Sequence, residues 1–124
     1  MNVAPGIELT PLERDLLGHF WLRYKQIGFP SPEKLLVVSR QHTGAGRFTH
    51  FEHAGHVQRT DGQLSLGNFS QINMEGLEAG ASFWIKIESG KVLFLEVVVN
   101  GEQFWDGTER RWSVCDPDSG AFAE

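Results

Sequence analysis

The sequence predicts an α+β fold: an N-terminal helix packed on a mostly antiparallel, strongly curved β-sheet of about five to six strands. Three observations predict it. A single amphipathic stripe with start and stop signals lies near the N-terminus. The rest of the chain reads as short β-rich runs broken by Gly, Asn and Asp. The densest apolar run, Ala81 to Val99, has the form of a hairpin. A lone hairpin does not stay folded in water, so the other segments must add strands and a cover.

The helix is well punctuated. Thr10 is a natural N-cap, Pro11 takes the first helical position, and Glu13 completes a Thr-x-x-Glu capping box. Leu12, Leu16, Leu17, Phe20, Tyr24 and Ile27 recur at spacings of three and four, which makes one apolar stripe. Glu13 and Asp15 near its start, and Arg23 and Lys25 near its end, suit the macrodipole. Gly28 can take the left-handed position after the last turn, and Pro30 prevents continuation. The spacing predicts a helix over 11–27 whose stripe crosses one face of the sheet, with Trp21 at the edge of the core.

Leu35-Leu36-Val37-Val38 is a continuous apolar run ending in β-branched residues. It predicts at most one helical turn at 31–35, then a strand from Leu36 to His42 and a turn at Thr43–Gly46. Arg47 to Glu52 returns antiparallel, with Phe48 and His50 on one face. Residues 54–62 read as a loop. Gln63 to Asn73 reads as strand interrupted at Gly67-Asn68, with Leu64 and Leu66 on one face and Ser65 on the other; 75–80 is a turn-rich connection.

The central hairpin has two registers at Glu88-Ser89-Gly90-Lys91. A two-residue loop needs positive φ at Ser89, whereas a three-residue loop needs it only at Gly90 and sets Ile87 opposite Lys91. The second is the expectation. It puts Phe83, Ile85 and Ile87 on the helix-covered face with Leu93, Leu95, Val97 and Val99. Trp84 and Lys86 then share the opposite face with Val92, Phe94 and Glu96. Asn100-Gly101 is a turn, Gln103–Trp105 a short strand, and Arg111–Val114 an edge strand. Residues 1–124 form a single domain, with a loose lead-in at 1–9 and a loose tail at 116–124.

Composition bounds the function. The net charge of −5 gives no basic face for a phosphate backbone, which argues against nucleic acid. The single cysteine, Cys115, excludes an internal disulfide and suits a reducing compartment. No segment approaches the roughly 20 apolar residues of a membrane helix, and the N-terminus lacks a secretory pattern. The expectation is a soluble, acidic, cytoplasmic protein with no membrane partner. The sequence leaves its oligomeric state open.

Three segments carry a likeness: Ser-Arg-Gln-His-Thr-Gly-Ala-Gly-Arg-Phe-Thr-His-Phe (39–51), Glu-Gly-Leu-Glu-Ala-Gly-Ala-Ser-Phe (75–83) and Ile-Glu-Ser-Gly-Lys-Val-Leu-Phe-Leu-Glu (87–96). Together they resemble a group of small bacterial proteins of unassigned function, with an Arg-x-x-Thr-Gly-x-Gly segment and a Leu-Glu strand. The resemblance implies one compact α+β domain in a bacterial protein, and no known reaction.

Four sets of residues are candidates for chemistry. His50, His53 and His56, with Glu52 between them, supply imidazole and carboxylate ligands suited to Zn²⁺. On a strand, however, i and i+3 point to opposite faces, so surface histidines are the simpler alternative. Arg40 and Arg47 flank Thr43-Gly44-Ala45-Gly46, where two guanidiniums and turn N–H groups can receive an anion. Glu96 stands in an apolar strand, either buried and perturbed or paired across strands with Lys86. Trp84, Trp105, Trp112 and Phe104 can line a surface with Glu96, as interface anchors do. No nucleophile motif is present and no cofactor is called for, so no catalytic residue is assigned. The sequence therefore favours a non-enzymatic binding module with a protein partner, of the immunity or accessory kind, with Trp84, Glu96, Trp105, Arg40 and Arg47 as binding residues. The alternative is a small-molecule or metal-dependent enzyme using His50, Glu52, His53 and Glu96.

Overall fold

The computed structural model of the 124-residue chain describes residues 8–58, 61–67 and 70–116, with only the backbone of His53 and Ala54. Helix α1 (Pro11–Tyr24) starts as its capping box requires. Thr10 Oγ1 accepts the Glu13 N–H at 3.1 Å, and Glu13 Oε1 accepts the Thr10 N–H at 2.9 Å. The α-helix ends three residues before the predicted Ile27 and tightens into a 3₁₀ turn at Lys25–Ile27. Gly28 closes it at φ 101°, and a Cβ there would lie 2.1 Å from the His56 carbonyl oxygen. Leu12, Leu16, Leu17 and Phe20 are fully buried, and Tyr24 and Ile27 pack beside them half-buried.

The strands are β1 (Val37–His42), β2 (Gly46–Ala54), β3 (Asp61–Leu64), β4 (Gln71–Met74), β5 (Leu77–Glu88), β6 (Lys91–Val99) and β7 (Ser113–Cys115). They form one sheet in the order β1-β2-β6-β5-β4-β7, with β3 pairing to β5, and every pairing is antiparallel. The fold is therefore α+β, one helix on an antiparallel sheet, and the sheet does not close into a barrel. The twelve-residue β5 is its spine: the whole of β6 lies along one edge, and β4 and β3 follow each other along the other. A short 3₁₀ turn at Pro32–Lys34 precedes β1. Among the described residues no helix is long and apolar enough to cross a membrane.

One face of the sheet carries the core. Ala81, Phe83, Ile85 and Ile87 of β5 meet Val92, Leu95, Val97 and Val99 of β6, all buried, beneath the stripe of α1. The Phe20 ring meets Phe83 edge-on at 5.9 Å and stacks on Phe29 at 5.8 Å. Leu64 and Leu66 are buried and Ser65 is exposed, as the alternation predicts.

The central turn corrects the predicted register. Glu88 pairs with Lys91, so the loop has two residues, with Ser89 at φ 53° and Gly90 at φ 78°. A two-residue turn left-handed at both positions matches the right-handed twist of its strands, and the Ser89 N–H donates to Asp61 Oδ1 at 3.1 Å. A bulge then follows: Ile87 pairs with Val92 but Lys86 with Phe94, leaving Leu93 as the extra residue. Val92 thus joins the core and Leu93 is only half-buried, the reverse of the expectation. Because loop and bulge together restore the parity, Phe83, Ile85, Ile87, Leu95, Val97 and Val99 still face the helix, while Trp84, Lys86, Phe94 and Glu96 face away.

Other boundaries also move. β2 runs on to Ala54 and β3 starts at Asp61, inside the stretch read as a loop; β5 starts at Leu77, inside the predicted connection. Gln103–Trp105 is not a strand, and the edge strand lies at Ser113–Cys115. Of the predicted tail, Asp116 is buried beneath the helix, with Oδ1 3.0 Å from Arg23 Nη2 and Oδ2 3.4 Å from His19 Nδ1. Residues 117–124, and 1–7 of the predicted lead-in, lie outside the described residues.

Candidate functional site

The two sides of the sheet hold different chemistry, set by the alternation of β2. Arg47, Thr49 and Phe51 point toward α1, and Phe48 and His50 point away.

On the covered side Arg47 and Thr49 meet the first turn of the helix. The Glu13 side chain is fully buried there. Arg40 grips it with two prongs, Nε to Oε2 at 2.7 Å and Nη2 to Oε1 at 2.6 Å. Thr49 Oγ1 donates to Oε2 at 2.7 Å, and Arg47 Nη2 stands 3.2 Å from the same oxygen. Arg47 also donates to Glu109 Oε2 at 2.8 Å, and its guanidinium lies 5.1 Å from the centre of the Trp105 ring. Burial pushes the Glu13 carboxyl up. The bonds from Arg40, the Thr10 N–H and Thr49, with the charge of Arg47, outweigh it and hold Glu13 below its usual 4.5. Bonding to Glu13, against the cost of its own burial, raises Arg40. Two carboxylates and two guanidiniums thus neutralise one another inside the protein. The predicted anion cradle of Arg40 and Arg47 takes its anions from this chain, in Glu13 and Glu109.

Trp105 belongs to this covered side. It is 3% exposed, its backbone N–H bonds to the Gly44 carbonyl at 2.9 Å, and its indole donates to the Thr108 carbonyl at 2.9 Å. The expected surface of Trp105 with Trp84 and Glu96 is therefore not formed, because the sheet separates them. Trp112 packs against the core with its indole toward Asp15, at 3.4 Å, and Phe104 is exposed.

The outer side is aromatic. Phe94 of β6 stands at the centre of a ring cluster: Phe48 at 5.3 Å edge-on, Trp84 at 5.4 Å edge-on and His50 at 5.5 Å, with His50 also stacked on Phe48 at 6.1 Å. Trp84 donates its indole N–H to Glu96 Oε1 at 2.7 Å, so the cross-strand partner of Glu96 is the indole rather than Lys86. All of these side chains are half-buried, none belongs to the core, and α1 lies on the other face. Beside the cluster an open groove of about 510 Å³ is lined by Val38, Ser39, His50, Phe51, Leu93 and Phe94. Three register shifts surround it: between Val37 and Ser39, between His50 and Ala54, and at Leu93. Bulges re-aim side chains, and here they open the space between β1, β2 and β6.

The histidines do not gather as described. His50 lines this groove, whereas His56 lines a separate cleft of about 650 Å³ with Trp21 and Phe29; the His53 side chain lies outside the described residues. Among the described residues no three His, Cys, Asp or Glu side chains are placed to hold a metal ion. Glu52 is exposed.

Sequence reasoning identified Trp84 and Glu96 on one face but missed Glu13 and Glu109 as partners of the arginines. The available signal was the period-two placement of Arg47 and Thr49 with Phe51, polar residues sharing a face with an apolar one. No family model matches the chain, and neither a curated protein nor a solved structure is significantly similar to it.

Proposed function

We propose that the protein is a non-enzymatic binding module that holds a protein partner on the outer face of its sheet. The observation that carries this reading is the cluster of Phe48, His50 and Trp84 around Phe94, four rings on the face that α1 leaves free. Aromatic side chains at the centre of a patch with a polar border are the usual anchors of protein interfaces. The border is polar: Ser39, Gln41, Glu52, Ser82 and Glu88 are exposed around it. Its carboxylates and the net charge of −5 favour a partner whose matching surface is basic around an apolar anchor. The bulge-lined groove, with His50 and Ser39 as its polar groups, is the place for that anchor.

Immunity or accessory proteins in a bacterial cytoplasm fit this description, and the resemblance of residues 39–51, 75–83 and 87–96 supports the bacterial setting. The test is co-purification on immobilised wild type, Trp84→Ala, Phe94→Ala and a Phe104→Ala control. Partner recovery should fall at least tenfold with the first two variants and stay unchanged with the third. Recovery that survives both outer-face substitutions would refute the proposal.

A further inference from the structure

Four carboxylates among the described residues are buried or half-buried: Glu13, Glu96, Glu109 and Asp116. Three of them are held by an arginine of this chain. Glu13 has Arg40 at 2.6 Å, Glu109 has Arg47 at 2.8 Å, and Asp116 has Arg23 at 3.0 Å. A carboxylate taken partly out of water needs such a partner to offset its lost hydration. Glu96 is the exception. Its Oε1 accepts only the neutral indole N–H of Trp84, and no Lys, Arg or His among the described residues forms an ion pair with it. Its Oε2 accepts no hydrogen bond from the described residues.

The sheet register frames this carboxylate with rings. Glu96 stands opposite Phe48 of β2 on one side and opposite Trp84 of β5 on the other. Phe94 lies two residues before it on the same face of β6. Lys86 and His50 share the face, but both stand opposite Phe94 instead. Aromatic faces attract a cation, and a carboxylate set among them fixes where it sits. The one half-buried acid that this chain leaves without a cation is therefore surrounded by the side chains that best receive one.

We propose that Glu96, framed by Phe48, Trp84 and Phe94, receives an arginine side chain of the partner, set beside the partner's apolar anchor. The proposal rests on the outer face being the binding surface and names the charge which that face recognises. Arginine suits the position better than lysine. Oε1 already serves the indole, and a flat, weakly hydrated guanidinium can donate to Oε2 while lying against a ring. An ammonium is more strongly hydrated and loses more on leaving water.

The probe is N-acetyl-arginine amide, followed through the NMR signal of the Trp84 indole N–H, with the neutral citrulline and the lysine counterparts in parallel. A saturable shift with a Kd of about 10 mM is expected for the arginine compound, and binding at least about fivefold weaker for citrulline. The Trp105 indole, bonded to the Thr108 carbonyl across the sheet, should not move. Glu96→Gln keeps an oxygen for the indole and removes the charge, so affinity for the arginine compound should fall by the same factor. No shift with the arginine compound, or equal affinity for arginine and citrulline, would overturn the proposal on wild type alone, whether or not the variant folds. Undiminished affinity in a folded Glu96→Gln would also overturn it, and lysine binding as tightly as arginine would overturn the choice of arginine. Co-purification with Glu96→Gln separates this contact from the reading on which it rests. A partner lost with Trp84→Ala but kept with Glu96→Gln refutes the arginine contact and leaves the binding face standing, whereas recovery that survives every outer-face substitution refutes both.

Discussion

The covered and outer faces of this sheet invert the usual association of charge with function and apolarity with structure. The covered face holds Glu13, Arg40, Arg47 and Glu109, yet each charge there is answered by another from the same chain. The outer face is aromatic, the composition of a core, yet α1 lies on the opposite side of it. A charge already paired has little left to offer a partner, whereas half-exposed rings keep apolar area to bury. On the proposed function, what separates the structural face from the binding face is satisfaction rather than residue type.

The largest effect should come from breaking the covered network. Replacing a buried ion network by apolar groups can be neutral, but removing one member strands the others. Glu13→Ala leaves Arg40 without its two-pronged acceptor, Thr49 without a partner, and Arg47 with Glu109 alone. Urea unfolding should show a loss of about 3–5 kcal/mol. A loss of under about 1 kcal/mol would mean that the network contributes no more than a surface salt bridge.

The same carboxylate sets a pH dependence. A group held below its ordinary value in the folded state adds stability above its unfolded value, and that stability drains as pH falls through the folded one. Stability should therefore decline as pH falls below the usual 4.5 of Glu13, and decline less steeply in Glu13→Gln. Asp106 is also lowered, to about 2, chiefly by the Thr108 N–H bond. It is exposed at the surface and unchanged in the variant, so the difference between the two profiles reports Glu13. Parallel profiles would contradict the assignment.

Matched truncations contrast the faces directly. Phe20→Ala removes a ring that is fully buried between Phe29 and Phe83, at an expected cost of about 3–5 kcal/mol. Phe94→Ala removes a half-buried ring and should cost about 1–2 kcal/mol while abolishing partner recovery. Equal costs in urea would show that the outer cluster is a second core.

How much of this could be read from the sequence depends on how local each determinant is. The helix was legible because Thr10, Pro11, Glu13 and Gly28 act within one or two turns of themselves. The two faces of the hairpin were legible because parity survives an error of two residues in register. The role of Glu13 was not: its capping bond is local, but the partners that bury it lie 27 and 36 positions away, on strands whose inward face sequence alone does not fix. Trp105 illustrates the same limit, since a tryptophan whose backbone ties its loop to Gly44 and whose indole donates to the Thr108 carbonyl looks in sequence like one that lines a surface.

The smallest predicted effect tests the register error itself. Steric cost at Ser89 argued for the three-residue loop, and the protein accepts that cost, holding Ser89 at φ 53°. Two gains offset it: a turn whose twist matches β5 and β6, and the bond from the Ser89 N–H to Asp61, which ties the hairpin to β3. At position 89 both use only the backbone, so an asparagine should keep them while tolerating the left-handed conformation better. Ser89→Asn is expected to raise stability by about 0.5 kcal/mol, read as an increase of about 2–4 °C in Tm. A fall in Tm would mean that the Ser89 side chain itself supports the turn. In either case the outer cluster should keep its arrangement, because the bulge at Leu93, rather than the turn, aims Phe94 and the groove beside it.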